Sequence, residues 1–160
     1  MITIFTDGSA RGNPGPGGWG VIIAHEDRVV EIGGPSAGDT TNNKIELTAA
    51  IEALQSVGYD EPITLYTDSE YVKKGITEWV IGWQKNNWKT SQKKPVENQK
   101  LWWALIEASS DKPVEWKVIR GHAGVPGNER CDVIATSFAD AEHIDLYNGP
   151  RDGYTISLKA

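Results

Sequence analysis

Five side chains could carry chemistry in this sequence. Thr6-Asp7-Gly8 and Thr67-Asp68-Ser69 are two versions of one pattern, an aspartate between a threonine and a small residue at the end of a β-branched run. Glu46 and Asp132 add two further acids, and His122 lies in Arg120-Gly121-His122-Ala123-Gly124. Carboxylates forced together repel unless they are protonated or bridged by a cation, and hard oxygen ligands favour Mg²⁺ or Mn²⁺ over zinc. A histidine on a glycine-flanked loop suits a mobile proton carrier. Each acid also has a plain structural reading: Asp7 as a turn residue, Asp68 as a helix cap, Glu46 as capping partner of Asn43, Asp132 as a solvated helix residue. Spacing alone leaves both readings open.

For the acids to meet, the elements that carry them must converge. Ile2–Thr6 is β-branched and aromatic and is stopped by Asp7-Gly8, which predicts a short strand. The glycine-dense stretch Gly8–Gly20, with Pro14 and Pro16, excludes helix. Trp19–Ala24 and Arg28–Gly33 then read as strands that complete an antiparallel meander. Leu47, Ala50, Ile51, Leu54 and Val57 follow helical spacing, with Asn43 as the expected N-cap and Gly58 as the stop. Ile63–Thr67 predicts a fourth strand, followed by a helix start at Asp68 that runs towards Gly75. Glu78–Trp83 reads as further helical turns, Gln84–Lys94 breaks the pattern, and Asn98–Ser109 reads as a helix. Val114, Trp116 and Val118 alternate with charged residues as a fifth strand, and a last helix runs from Pro126 to about Asp140. The remainder, with Gly149, Pro150 and Gly153, reads as irregular. This order predicts an α/β fold, a mixed sheet with helices on both faces. With the first and fourth strands parallel at its centre, Asp7 and Asp68 meet at the carboxyl edge, where such sheets place ligands.

Composition narrows the function classes. The chain has 160 residues, 39% hydrophobic and 24% charged, the balance of one globular domain. Lys plus Arg number 16 against 22 Asp plus Glu, a net charge of −6, which excludes a uniformly basic coat but not a local basic patch. The lone Cys131 excludes an internal disulfide, and no apolar run reaches the roughly 20 residues of a membrane helix. Met1–Phe5 is too short and uncharged for a signal peptide, so the expected location is cytoplasmic. Nothing in the sequence asks for more than a monomer.

Six blocks carry a resemblance. Thr6-Asp7-Gly8-Ser9, Gly12-Asn13-Pro14-Gly15-Pro16-Gly17-Gly18, Thr41-Asn42-Asn43 with Glu46-Leu47, Thr67-Asp68-Ser69, Gly121-His122-Ala123-Gly124 and Asn128-Glu129-Arg130-Cys131-Asp132 resemble, in order, the signature blocks of type 1 ribonuclease H. The resemblance implies a ribonuclease H-like fold, a five-stranded mixed sheet flanked by helices, with a catalytic domain over 1–142 and a tail over 143–160 that forms no separate domain. It implies an endonuclease that hydrolyses the RNA strand of RNA–DNA hybrids. By the same resemblance Asp7, Glu46, Asp68 and Asp132 hold two divalent metals, Mg²⁺ or in its place Mn²⁺, and His122 assists proton movement or product departure. The chemistry agrees with two metals: one acidifies an attacking water and the other stabilises the leaving oxygen, giving 3′-hydroxyl and 5′-phosphate ends.

Between 71 and 100 the sequence holds Lys73, Lys74, Lys85, Lys89, Lys93, Lys94 and Lys100 against only Glu78 and Glu97. Trp79, Trp83 and Trp88 interleave with these lysines, a mixture suited to phosphates and sugar faces. The block resembles the basic protrusion with which bacterial-type enzymes grip the DNA strand, and its expected contacts are Lys85, Trp88, Lys89, Lys93 and Lys94, with Trp79 and Trp83 either binding or core. Asn13, Asn42 and Asn43 have amides able to reach base edges or a 2′-hydroxyl, and the resemblance adds Thr41 to this set. Glu70 departs from it, standing where relatives carry Gln, and Lys74, also in place of a Gln, is expected to offset its charge.

Competing readings are weaker. Gly15-Pro16-Gly17-Gly18-Trp19-Gly20 satisfies a dinucleotide-binding pattern literally, but it leads into a predicted strand rather than a helix. A Cys131–His122 nucleophilic pair is opposed by the acid beside the thiol. A hybrid reader that does not cut gains nothing from four clustered carboxylates facing phosphate. A DNA-directed nuclease of the same fold leaves the asparagines and the lysine block without a use.

Overall fold

The computed structural model describes residues 1–120 and 124–160. Its centre is a six-stranded mixed sheet in the order β5-β4-β1-β2-β3-β6. Strands β1 (Ile2–Ala10), β2 (Gly15–Ala24) and β3 (Arg28–Thr40) form the antiparallel meander, while β4 (Ile63–Thr67) and β5 (Val114–Val118) add in parallel on the other side of β1. The sixth strand corrects the five expected. The tail, read as irregular, places β6 (Asn148–Pro150) antiparallel against Arg28–Val30. Three residues have no period to betray a strand; only the partner edge makes them one.

All three meander strands are longer than their hydrophobic runs. Asp7-Gly8 does not turn: Asp7 pairs with Gly20, Gly8 with Trp19, Ser9 with Gly18 and Ala10 with Gly17. Backbone pairing therefore continues where apolar alternation has stopped, and the hydrogen-bond ladder, blind to side chains, carries Asp7 inside a strand.

Helices cover both faces. On one, α1 (Asn42–Gln55), α2 (Glu70–Lys74), α3 (Val80–Lys85) and α4 (Gln99–Ser109) accompany a core that includes Ile4, Leu47, Leu54, Leu65, Trp102 and Leu105, with α2 and α3 joined through a π-helical turn at Gly75–Trp79. On the other, α5 (Pro126–Ala139) lies alone over β1 and β2, and Cys131 joins Phe5, Ile22 and Val29 in a second core. Full burial of each such side chain stabilises by about 1.5–3 kcal/mol. Because strand side chains alternate, Asp7 lies on the Phe5 face of β1, the face under α5. No helix among the described residues is long and apolar enough to cross a membrane.

Caps differ from expectation in an instructive way. Thr41, not Asn43, caps α1, its hydroxyl accepting from the Lys44 N–H at 3.3 Å. The helix ends at Gln55 rather than at Gly58, with the Ser56 N–H bonded to Ala53 O. Ser69, not Asp68, caps α2 by accepting from the Val72 N–H at 3.1 Å. Glu46 and Asp68 are thus released from local duty.

Candidate active site

Four elements bring the acids together. In the parallel register of β1 and β4, Phe5 is opposite Tyr66, so the aspartates two positions further on emerge side by side at one edge. The Asp7 carboxylate accepts from the Gly8 N–H at 2.9 Å. Gly8 also sets the third acid: a Cβ there would lie 2.8 Å from the Ile45 carbonyl and 2.9 Å from the Glu46 nitrogen. Only glycine lets α1 descend onto β1 and carry Glu46 to Asp7.

Asp7, Glu46 and Asp68 each offer an oxygen within 4.8 Å of the other two. Glu46 Oε1 and Asp68 Oδ1 are buried with no hydrogen-bond partner among the described residues. Burial first, then the charges of Asp68 and Asp132, pushes the Asp7 carboxyl up to about 8, and burial with Asp7 and Asp68 raises Glu46 well above the usual carboxylate range. Three acids at such spacing hold their protons or share a cation. Partnerless buried oxygens are costly, and they are what a divalent ion takes, so the donor set fits a hard metal.

Asp132 stands outside that tight group but lines the same cleft, about 340 Å³, with Asp7, Asp68, Gly124, Asn128, Glu129 and Val133. It comes from α5, whose approach is again set by glycine: a Cβ on Gly20 would meet the Cys131 carbonyl at 2.5 Å, and one on Gly127 the Phe5 ring at 2.8 Å. His122 lies outside the described residues. The neighbouring Cys131 is buried and donates to the Phe5 carbonyl at 3.3 Å, and its thiol is raised by burial and by Asp7, which removes it as a nucleophile.

A second, wider cleft of about 590 Å³ is lined by Asn13, Thr41, Asn42, Asn43, Lys44, Glu97 and Asn98. Asn13 Oδ1 accepts from the Asn42 N–H at 3.0 Å, which ties the β1–β2 loop to the start of α1. The amide donors of Asn42 and Asn43 are exposed. Lys44, Glu97 and Asn98 are lining residues that sequence reasoning did not single out. Asn98 adopts φ 60° before α4, and its side chain donates to the Tyr71 hydroxyl at 3.1 Å; an asparagine just before a helix was the available signal.

Lys85, Lys89, Lys93 and Lys94 are all exposed on and after α3. They ride on a relay of rings: Trp79 to Trp83 and Trp83 to Trp88 are each 5.9 Å apart, and Trp88 to Trp103 is 5.7 Å. Trp79 is 38% and Trp103 46% exposed, whereas Trp83 and Trp88 pack against the core, so the two ends of the relay leave the most ring face free. Lys74 Nζ lies 3.8 Å from Glu70 Oε2, the offset expected.

The family model described as RNase H matches residues 1–140. The chain belongs to the ribonuclease H family. Among relatives, the ribonuclease H of Cyanothece sp. is 53% identical over 146 residues, 89% of this chain and 92% of that one. That of Chelativorans sp. is 52% identical over 134 residues, 84% and 82% of the two chains. Among solved structures, a type 1 RNase H with the type 2 active-site motif superposes with a TM-score of 0.77 at 28% identity, covering 98% of this chain and 77% of that one. Ribonucleases H degrade the RNA of RNA–DNA hybrids and use divalent metal ions. In this ribonuclease H, Asp7, Glu46 and Asp68 form a group able to bind such an ion.

Proposed function

We propose that this ribonuclease H is an endonuclease that cuts the RNA strand of RNA–DNA hybrids by two-metal chemistry with Mg²⁺, or with Mn²⁺ in its place, leaving 3′-hydroxyl and 5′-phosphate ends. The observation that carries the reading is the pair of partnerless buried oxygens, Glu46 Oε1 and Asp68 Oδ1, within a carboxylate group spanning 4.8 Å. Asp7, Glu46, Asp68 and Asp132 would hold the ions. When bound, these supply an acidified water and stabilisation of the leaving oxygen.

The chain's own residues do the rest. Asn13, Thr41, Asn42 and Asn43 hold the hybrid in the wider cleft, where exposed amides meet base edges and the 2′-hydroxyl that tells RNA from DNA. Lys85, Lys89, Lys93 and Lys94 neutralise backbone phosphates, and Trp79, Trp83 and Trp88 give their loop a rigid base, Trp79 with a ring face towards sugars. His122 moves a proton to or from the departing oxygen through its ring nitrogen. Residues 1–142 form the catalytic unit, and 143–160 belong to it as an edge cover.

The test is cleavage of an end-labelled RNA–DNA hybrid beside RNA–RNA and DNA–DNA duplexes, with Mg²⁺, Mn²⁺ or chelator, for wild type and Asp7→Asn. Metal-dependent cutting of RNA in the hybrid alone, lost in Asp7→Asn, with a 5′-phosphate on the downstream product, is the expected result. A hybrid that is bound but never cut with either metal would make the protein a reader.

A further inference from the structure

Asp132 is the exposed member of the four acids, and its place is set by the helix it rides on. Helix α5 has no side-chain cap at its N-terminus, where Val125 stands in the cap position. Something other than local capping must fix its rotation about its own axis.

Two positions before Asp132, Arg130 makes a bidentate pair with Glu31 of β3: Nε donates to Oε2 at 2.8 Å and the terminal nitrogen to Oε1 at 2.9 Å. The Glu31 side chain is only 1% exposed. Its carboxylate also accepts from the Tyr154 hydroxyl at 2.6 Å and the Tyr147 N–H at 2.9 Å, and Arg130 donates further to the Asp145 carbonyl at 2.9 Å. Burial alone would raise the Glu31 carboxyl, but the bonds from Arg130, Tyr154 and Tyr147 outweigh it and hold it below the ordinary value. Both oxygens of this buried acid are satisfied, and two of its three partner residues, Tyr147 and Tyr154, come from the tail beyond the span of the family match.

Residues two apart on an α-helix project about 200° from one another. Arg130 thus grips β3 and the tail on one side of α5 while Asp132 faces the cleft on the other. A roll of α5 by about 20° would carry a carboxylate at the helix surface by roughly 2 Å, enough to spoil a metal ligand. We infer that Arg130, Glu31 and Tyr154 are positioning residues for Asp132: the C-terminal tail and the β3 edge clamp α5 from behind and fix the angle at which its acid meets the metal site.

The clamp has this purpose only if Asp132 holds metal as proposed above, so the test reads metal binding directly as well as cleavage. Arg130→Lys keeps the charge and removes the fork; Tyr154→Phe removes one hydrogen bond and leaves the ring. Calorimetric titration with Mn²⁺ alone and hybrid cleavage are measured for both, in wild-type and Asp132→Asn backgrounds, on protein shown folded by its thermal transition. Arg130→Lys is expected to weaken Mn²⁺ binding about tenfold and to lower kcat with KM for hybrid unchanged, and Tyr154→Phe to do so by about twofold. Both effects should vanish in the Asp132→Asn background, a non-additivity that mere loss of stability does not produce. Equal fractional losses in the two backgrounds, or unchanged Mn²⁺ affinity in a folded clamp variant, overturn the inference. Should Arg130→Lys fail to fold, Tyr154→Phe decides by the same criteria. Absence of hybrid cleavage by the wild type would refute the proposed function, while the calorimetric coupling would still judge the clamp.

Discussion

At Asp7 the proposed metal would compete with a proton. Its carboxyl, raised to about 8 by burial and by Asp68 and Asp132, is protonated in the metal-free native state at pH 7, whereas in the unfolded chain it ionises near 3.8. A raised native pKa contributes stability that is fully present below the unfolded value and is lost as pH rises through the native one. The metal-free protein should therefore weaken between pH 4 and pH 8, and Asp7→Asn, which carries no charge to desolvate, should remove the part of that slope due to Asp7 and leave the part due to Glu46, whose carboxyl burial also raises. We expect Asp7→Asn without metal to be more stable than wild type by on the order of 3 kcal/mol at pH 8 and little different at pH 4, read by urea denaturation. Added Mg²⁺ should stabilise wild type and not the variant; a variant less stable than wild type at pH 8 would contradict the strain assigned to Asp7. The same residue bounds the role of His122. Loss of a ligand removes the means of holding the ion, while loss of a proton carrier leaves water to substitute. His122→Ala should slow single-turnover cleavage by about 100-fold and Asp7→Asn by more. Equal losses in that assay would give His122 a ligand-like importance.

Elements place these residues through close approach, and glycine sets the distance. A methyl group on Gly8 must push α1 away from β1, since the atoms it meets are backbone and cannot rotate aside. Gly8→Ala should cost about 1–3 kcal/mol and move Glu46 away from Asp7, so calorimetric Mg²⁺ affinity should fall by more than the folded fraction does. Unchanged metal affinity in folded Gly8→Ala would show that α1 can withdraw without taking Glu46 with it. The same logic explains what the sequence disclosed. Leu47, Ala50, Ile51 and Leu54 announced α1 because its stripe is buried as its period demands, and Ile63–Thr67 announced β4 because every residue of the strand but the half-buried Tyr66 is buried. Asp7, Glu46, Asp68 and Asp132 were legible as a set only through the resemblance, because turn, cap and solvated-helix roles account for each acid taken singly. The ends of elements were not legible. Strands β1, β2 and β3 extend through Asp7-Gly8, Gly15-Pro16 and Gly34–Thr40 because each finds a partner, and a partner is a tertiary fact. Strand β6 and the four bonds on Glu31 were invisible for the same reason: nothing within Asn148–Pro150 or around Glu31 foretells that they meet.

On the scale of the whole molecule, positive and negative charge are unevenly divided along the chain. Lys85, Lys89, Lys93 and Lys94 stand on and after α3 beside stacked tryptophans, and outside the 71–100 stretch the chain is strongly acidic, with a net charge of −6 overall. Fields of this kind attract phosphate at the patch and repel it elsewhere, so affinity depends on local and not net charge. Each lysine–phosphate contact releases counterions, and log affinity falls with log salt in proportion to the number of contacts. If Lys85, Lys89, Lys93 and Lys94 each meet a phosphate, the slope for hybrid binding should be about −3 despite the acidic composition. Replacing Lys89 and Lys93 by Ala should make it shallower by nearly 2 and weaken binding most at low salt, as titrations of labelled hybrid between 50 and about 200 mM salt would record. Removing acids far from the patch, such as Glu26 and Asp27, should strengthen binding slightly without altering the slope, because they repel at long range and release no ions. A flat dependence in the wild type would mean that the patch does not touch the backbone, and grip would then have to come from the asparagine-lined cleft alone. That cleft offers amides and one lysine, Lys44, beside Glu97. In the proposed function such a set would select a 2′-hydroxyl but supply little salt-dependent attraction, so the two surfaces would divide the work, one recognising RNA and the other holding the duplex long enough for the acids to act.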